Sequence, residues 1–598
     1  MHKCSLREIR LGDHMLIKMI LCLALELFWC IWGIRNTSYS GAVLLITAVS
    51  LLSTWQVYNK DIVLTKGKRV CYYAYAFLFA VFTGMFFYKS YEVAGQSTGG
   101  KIVLFGLVAI ASFAAAYNVA IFWDYIAREM IYGKCTYEAD RKGAWKAFLI
   151  PFVLIVVVYS IYLFGIVYPA NAYSDSWRIS QCFTGYYSNH TTVWHTYIIK
   201  ACMEIGNAIY GNYTAGIAFF NFFQICFMAF CFSYTLRFMY KMNAPRLLLV
   251  ISGAFYVFMP YNILWSASVN QNAMFGTVAV LLVTVLLEYE CNRTTATTGV
   301  KKLITSKELV ELCLYGIVSV CFCLFRTNAF YAYCLFVVFL VVHFKKYAKL
   351  LIMSLLVVAF CMVMRGPMVR HFEIRQVDTI ESLSIPAQQI ARVVADGHKL
   401  TDEETEFLEN IVEVDRIAET YLPYISDPIK DLVRETDNQT FIKDNKKEFL
   451  ALWIKIGLRY PREYFAAWID QTVGYWGLDI DDVDYYNDKI FEMPDYGIKG
   501  RIPNSMLNKL WNLYTNLFSG AYILKIFICC GLVAWSFVLS FTSCIANKRS
   551  LLASIPILGL WLTLLIAVPV ADAVVYAYGI LVSIPAIFVG NMLKKTNN

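Results

Sequence analysis

The chain has 598 residues, of which 59% are hydrophobic and only 16% are charged, and its mean hydropathy is +0.54. This composition excludes an ordinary soluble domain, and apolar runs of about 20 residues exclude an outer-membrane barrel, in which shorter segments alternate in polarity. The net charge of +9 does not indicate a nucleic-acid-binding protein, because the lysine and arginine residues lie in short loops between the apolar runs rather than on one surface.

Fourteen apolar segments are long enough to form membrane helices, so the sequence predicts an all-α polytopic membrane protein. Most lysine and arginine residues fall in alternate loops, and the positive-inside rule then places both termini in the cytoplasm. The predicted spans are residues 15–34, 41–58, 70–88, 102–123, 147–168, 213–236, 247–264, 272–288, 308–325, 328–344, 349–364, 519–543, 551–569 and 573–592.

This topology leaves two long polar segments on the extracytoplasmic side. The predicted regions are N-terminal helices at 1–146, a core transmembrane region at 147–364 with an outer loop at 169–212, an extracytoplasmic domain at 365–518, and C-terminal helices at 519–598.

The extracytoplasmic domain is predicted to be mainly helical. Thr401 and Glu404 form a capping box, which starts an amphipathic helix that reaches Ala418. A second helix is predicted from about Lys446 to Leu458, because Pro461 follows it.

Two outer positions carry polar groups where chemistry at a membrane surface would need them. Pro169 ends the fifth predicted span and leaves Asp175 near the outer membrane surface. Further along, the apolar periodicity from Val193 onward predicts a helix that lies in the membrane interface. Arg326 interrupts two apolar runs on the same side, and charges at such a depth are usually functional.

An acidic residue shortly after a membrane helix, followed by an interfacial helix, resembles the first outer loop of the GT-C glycosyltransferases. That superfamily includes protein O-mannosyltransferases, oligosaccharyltransferase catalytic subunits and the lipid A aminoarabinose transferase. The chain also resembles a group of bacterial GT-C-like membrane proteins, although Ala170 replaces their usual glycine and Thr191-Thr192 stand where His-Pro is expected. The shared positions are Tyr168-Pro169, Asp175-Ser176, Gln181, Asn189-His190, His195-Thr196, Arg326-Thr327-Asn328 and residues 384–392.

The resemblance implies an inverting glycosyltransferase that moves a sugar from a polyprenyl-phosphate-linked donor to an extracytoplasmic acceptor. The acceptor would be a cell-wall polymer, a glycolipid or a surface polysaccharide. One carboxylate suffices for this reaction, because the acceptor hydroxyl needs a base whereas the phosphate leaves without an acid. Asp175 is the predicted base and Arg326 the predicted donor-phosphate ligand. The other predicted substrate-binding residues are Arg178, His190, His195, Asn328, Gln388, Gln389 and Arg392.

No cysteine or histidine spacing indicates a metal site held by the protein. The acidic run at 479–484 lacks the glycine of a calcium-binding loop and is interpreted as a solvated loop, which leaves a divalent cation as an open option. The expected partners are the lipid-linked donor, a glycan or lipid acceptor and membrane lipids, with no nucleic acid. The expected location is the bacterial cytoplasmic membrane.

Two alternatives stay open at this point. A lipid-linked polysaccharide polymerase or ligase would share the topology and the outer site. A transporter or flippase with fourteen helices would show charges and broken helices at corresponding positions of two repeated halves, and the sequence shows no such repeat.

Overall fold

The computed structural model describes residues 2–590 apart from 39, 61, 95–96, 129–135, 191, 296–305, 437, 480–489, 521–528, 568–569 and 572–573. Over the residues so described it is built from helices, with isolated backbone bridges and no β-strand. The prediction of an all-α fold is therefore confirmed. Most of the acidic run at 479–484 lies outside the described residues.

Five helices form the N-terminal group. Long apolar runs make them helical, and α5 packs against α1, α2 and α3. Their bounds are α1 (His2–Asn36), α2 (Gly41–Asn59), α3 (Lys66–Phe86), α4 (Tyr88–Ala94) and α5 (Thr98–Ile126).

Ten helices form the central part of the bundle, and α9 packs against α6, α8 and α12. Their bounds are α6 (Ala144–Gly165), α7 (Ser176–Thr184), α8 (Val193–Tyr210), α9 (Tyr213–Lys241), α10 (Arg246–Phe258), α11 (Pro260–Ser266), α12 (Gln271–Thr295), α13 (Ser306–Phe325), α14 (Thr327–Val342) and α15 (Phe344–Arg365). The helix predicted from Val193 is thus confirmed as α8.

A small helical domain follows, and the chain then returns to the bundle. The small domain is defined here by its separate hydrophobic core, which runs from residue 380 to residue 464 and centres on α17. The bounds are α16 (Pro367–His371), a 3₁₀ helix (Thr379–Leu383), α17 (Ser384–Ala395), α18 (Asp402–Glu409), α19 (Val414–Thr420), α20 (Asp427–Glu435), α21 (Gln439–Asp444), α22 (Lys446–Arg459), α23 (Pro461–Thr472), α24 (Ser505–Gly520), α25 (Cys530–Ala546), α26 (Ser554–Ala567) and α27 (Val574–Gly590).

Nine of the described helices are long and apolar enough to cross a membrane. The pair α10 and α11 would make a tenth span, bent by 43° at Met259, and α14, α25, α26 and α27 are shorter apolar helices. Each of the fourteen predicted segments therefore contains an apolar helix or this bent pair. The architecture is that of an all-α membrane protein.

The capping box in the small domain is confirmed. The Thr401 side chain accepts from the Glu404 N–H, and the Glu404 carboxylate accepts from the Thr401 N–H. The predicted helix beyond it is interrupted, however, because α18 ends at Glu409 and α19 starts at Val414. The Ile411 carbonyl, which lies at the break, accepts hydrogen bonds from the side chains of Thr436 and Asn438 instead.

The segment after the small domain packs both on α17 of the small domain and on the membrane bundle. Tyr475 and Trp476 belong to the larger core, and Trp468 Nε1 donates to the Leu565 carbonyl at the end of α26, 2.8 Å away. The buried Asp470 carboxylate binds Lys89 at 2.8 Å and Arg392 at 3.0 Å. This double ion pair fastens the small domain to the end of the bundle near α4.

Candidate functional site

The loop before α7 is held against the segment that joins α11 to α12. The Asn171 N–H donates to the Ala267 carbonyl at 2.9 Å, and its side-chain amide donates to the Leu264 carbonyl at 2.6 Å. The Asp175 N–H donates to the Val269 carbonyl at 3.0 Å. These bonds satisfy buried backbone groups and fix the position of Asp175.

Asp175 is the N-cap residue of α7. Its Oδ1 accepts from the Arg178 N–H at 3.1 Å, and its Oδ2 lies 3.4 Å from Arg178 Nε. The side chain is 25% exposed. The carboxylate is therefore oriented by the helix start and by one guanidinium, and its remaining acceptor positions are open to a ligand.

Arg178 is almost fully buried between α7 and α8. Besides Asp175 it contacts the Thr192 carbonyl at 3.5 Å, His195 Nδ1 at 3.5 Å and Thr196 Oγ1 at 3.3 Å. Burial lowers the pKa of the Arg178 guanidinium, and the neighbouring Asp175 opposes that shift. Its donors are directed at protein atoms, so Arg178 positions Asp175.

His195 lies on the first turn of α8 and is fully buried. The rings of Phe220 and Phe325 meet it edge to face at 5.8 and 5.7 Å. Burial, and then the charge of Arg178, lower the pKa of His195 well below its usual value, so the imidazole is neutral. Its Nε2 is buried without a hydrogen-bond partner.

His190 precedes α8 and lies apart from His195. It is partly exposed, and its Nδ1 is 3.7 Å from Glu381 Oε1 of the small domain. Across the described ranges no group of three or more histidine, cysteine or acidic side chains is arranged to hold a metal ion.

Arg326 stands between α13 and α14 and is only 6% exposed. Its guanidinium lies over the rings of Tyr576 at 4.6 Å and Phe275 at 5.5 Å, and Nη1 donates to the Tyr576 carbonyl at 3.3 Å. Burial lowers the pKa of Arg326 to about 10, which leaves it charged at neutral pH. No carboxylate of the described chain forms an ion pair with it. Asn328 Nδ2, two residues further on, donates to Thr563 Oγ1.

Thr192 contacts both Arg178, which binds Asp175, and the carbonyl of Phe325, which precedes Arg326. Its Oγ1 lies 3.0 Å from both Gln271 Oε1 and the Phe325 carbonyl, and its own carbonyl contacts Arg178. The starts of α8, α12 and α14 therefore meet at one end of the bundle. The sequence singled out neither Thr192 nor Tyr576, since a threonine before a helix and a tyrosine in an apolar run give no distinctive signal.

The three predicted residues on α17 are used within the small domain and its attachment. Gln388 is buried and donates to two carbonyls, those of Leu422 at 2.8 Å and Ile425 at 3.2 Å. Gln389 accepts from Trp453 Nε1 and donates to the Tyr464 carbonyl. Arg392 is held by Asp396 and Asp470. The structure thus gives each of them a protein partner and does not join them to Asp175.

Comparison with known proteins gives one match. Residues 179–598 match the model of a family of unknown function, DUF6020. The match includes Arg326 and both candidate histidines, and it begins four residues after Asp175. No curated protein and no solved structure matches the chain. Because the family model covers more than half of the chain, the protein belongs to the DUF6020 family.

Proposed function

We propose that the protein is an inverting glycosyltransferase that uses a polyprenyl-phosphate-linked sugar as donor and acts on the extracytoplasmic side of a membrane. The observation that carries the proposal is Arg326, a buried guanidinium without a carboxylate partner in the described chain. It stands at the same end of the bundle as Asp175, to which it is linked through Thr192.

A buried cation without a counter-ion calls for a ligand. Removing a guanidinium from water costs several kcal/mol, and a hydrogen bond to one carbonyl offsets only part of that cost. Tyr576 and Phe275 present ring faces to the Arg326 guanidinium, which leaves most of its five N–H donors free. An anion with several oxygens, such as a lipid phosphate, satisfies the charge and the donors together.

Asp175 has the position and chemistry of a general base. In the proposed step a carboxylate oxygen takes the proton of the acceptor hydroxyl while that hydroxyl oxygen attacks the anomeric carbon of the donor sugar. The bond from that carbon to the phosphate oxygen breaks, and the electron pair leaves with the lipid phosphate held by Arg326. Attack opposite the leaving group inverts the anomeric configuration. Arg178 keeps the carboxylate oriented.

The membrane setting is part of the proposal. In this proposal the chain crosses the membrane fourteen times with both termini in the cytoplasm, so that the α6–α7 loop, the start of α14 and the small domain lie together on the extracytoplasmic side. The lysine and arginine residues of alternate loops support this orientation.

The bent pair of α10 and α11 is a feature that favours a transporter, because broken helices expose carbonyls that bind ions. Here three carbonyls at the end of α10 have protein partners. Asn262 Nδ2 donates to the Phe255 carbonyl at 3.0 Å, the Tyr159 hydroxyl donates to the Tyr256 carbonyl, and the Tyr514 hydroxyl donates to the Phe258 carbonyl. The occupied carbonyls favour a transferase over a transporter.

The test is donor binding by Arg326. We would purify the protein in lipid nanodiscs, add a synthetic polyprenyl-phosphate sugar and follow binding by native mass spectrometry. Arg326→Met should abolish binding. Arg365→Met is the matched control, since Arg365 also bonds a carbonyl, that of Cys323, and lies over the ring of Phe330, but stands at the end of α15 rather than against Tyr576.

Equal donor binding by wild type and Arg326→Met would overturn the assignment of Arg326. Movement of the lipid-linked sugar across liposomes without transfer to any acceptor would favour the transporter instead.

A further inference from the structure

A polar cluster lies among the N-terminal membrane helices, outside the region that matches the family. Glu26 is fully buried midway along the apolar segment Met15–Asn36 of α1. Its Oε1 accepts from Thr54 Oγ1 of α2 at 2.5 Å and from Asn118 Nδ2 of α5 at 3.3 Å, and Asn118 Nδ2 also contacts Thr54 Oγ1 at 2.7 Å. Its Oε2 is buried with no hydrogen-bond partner.

Glu26 differs from the other fully buried acidic side chains that the structure describes. Each of the others forms an ion pair with a lysine or an arginine, whereas among the described residues no cation lies within ion-pair distance of Glu26. The ion pairs are Asp124 with Lys68 and Arg128, Glu290 with Lys346, Glu404 with Arg459, and Asp470 with Lys89 and Arg392.

An ionised carboxylate is costly at this depth, because neither water nor a cation compensates its charge. A protonated carboxyl removes the charge and also fits the observed contacts. As the carbonyl oxygen, Oε1 takes both donors, and Oε2 carries the proton as a hydroxyl. Unpaired intramembrane acids of this kind commonly mark functional sites.

We propose that Glu26, held by Thr54 and Asn118, is a proton-binding carboxyl within the membrane. The ligand is a proton rather than a metal ion, because Asn118 directs its amide nitrogen, a donor, toward the carboxylate. A cation would require oxygen atoms in that position. This site is independent of the proposed sugar transfer.

The other titratable groups around Glu26 are consistent with a neutral acid. The Tyr58 phenol on α2 contacts Cys22 Sγ of α1 at 3.5 Å. Lys18 is exposed two turns earlier on α1, and Asp124 on α5 is engaged by Lys68 and Arg128. None of these groups supplies a positive charge to the carboxyl.

The protonation state can be read by infrared spectroscopy of the full-length protein in nanodiscs. At neutral pH the wild type should show the C=O stretching band of a protonated carboxyl, and Glu26→Gln should lack it. Thr54→Val is a second variant that keeps the carboxyl. It should retain the band, shifted to higher frequency because Oε1 loses a donor. If neither comparison shows a Glu26 band, the proposal is overturned.

Carbodiimide labelling gives an independent reading, since dicyclohexylcarbodiimide modifies protonated carboxyls in apolar surroundings. The adduct should map to Glu26 and decrease as the pH rises. Glu288, which is paired with Lys241 at 2.7 Å, is the internal control and should stay unmodified. Protection of Glu26 by sodium ions but not by potassium ions would contradict a proton site in favour of a cation site.

Discussion

The stability of Arg326→Met tests whether Arg326 binds a ligand or stabilises the fold. The variant removes one hydrogen bond, worth about 1.5–3 kcal/mol for a charged donor, and two ring contacts, worth about 0.5–2 kcal/mol each. It also removes the burial cost of a charge, which is several kcal/mol. Because these terms nearly cancel, we expect Arg326→Met to unfold within about 1 kcal/mol of the wild type or to be more stable.

Arg178 is the matched comparison, because it is an equally buried arginine whose donors reach protein acceptors. Arg178→Met leaves the Thr192 carbonyl without that donor and the Asp175 carboxylate without its side-chain partner. Breaking such a buried ion pair costs about 3–5 kcal/mol, and the partial exposure of Asp175 reduces this to about 2–4 kcal/mol.

Both variants can be compared by denaturant unfolding in the same detergent, followed by tryptophan fluorescence. We expect Arg178→Met to unfold at a clearly lower denaturant concentration than Arg326→Met. If Arg326→Met is destabilised as much as Arg178→Met, then Arg326 is a structural residue and the phosphate assignment loses its basis.

Three further predictions concern the small domain and its attachment. Burial alone would raise the pKa of Glu404, but the hydrogen bonds from Arg459 and the Thr401 N–H outweigh it and keep the pKa below its usual value. The ionised Glu404 carboxylate therefore stabilises the folded state above its unfolded pKa, which is near 4.5. This stabilisation is lost as the pH falls through the lower pKa of the folded state. Glu404→Gln should therefore flatten the decrease in the free energy of unfolding at acidic pH. Asp470→Asn should remove the carboxylate partner of Lys89 and one of the two carboxylate partners of Arg392. Because Lys89 is partly exposed, we expect the attachment to be destabilised by about 1–3 kcal/mol, seen as faster hydrogen exchange in α17 and α23; unchanged exchange would refute this. Gln389→Leu should lower domain stability by about 1–3 kcal/mol while donor binding stays at the wild-type level, and weaker donor binding would restore a substrate role for Gln389.

The helices were predictable because their signals are local. Apolar runs of membrane length give the spans, and the capping box at Thr401 gives the start of α18. Asp175 was predicted near the membrane surface after Pro169, and the structure adds that it is the N-cap residue of α7. The break between α18 and α19 was not predictable, because its carbonyl is satisfied by Thr436 and Asn438, far along the chain.

The environment of each candidate residue depends on distant contacts. Arg326 is enclosed by Tyr576, 250 residues later, and Gln389 is held by Trp453 on another helix. Arg178 and Arg326 look alike in the sequence as single arginines beside apolar residues, but Arg178 has a carboxylate partner whereas Arg326 has none in the part of the chain that the structure describes. That difference, which suggests positioning for one and ligand binding for the other, exists only in the folded chain.

The most direct test of the proposed transferase is the effect of Asp175→Asn on single-turnover sugar transfer from a polyprenyl-phosphate donor to a mixture of extracytoplasmic acceptors. Asparagine caps a helix as well as aspartate and its Oδ1 can still accept from the Arg178 N–H, so α7 should remain intact. The carboxylate, which is both the proposed base and the ion-pair partner of Arg178, is lost. We expect a decrease in rate of about 10²–10⁴-fold, with Glu204→Gln on the exposed side of α8 as an unaffected control. Transfer by Asp175→Asn at the wild-type rate would contradict this expectation.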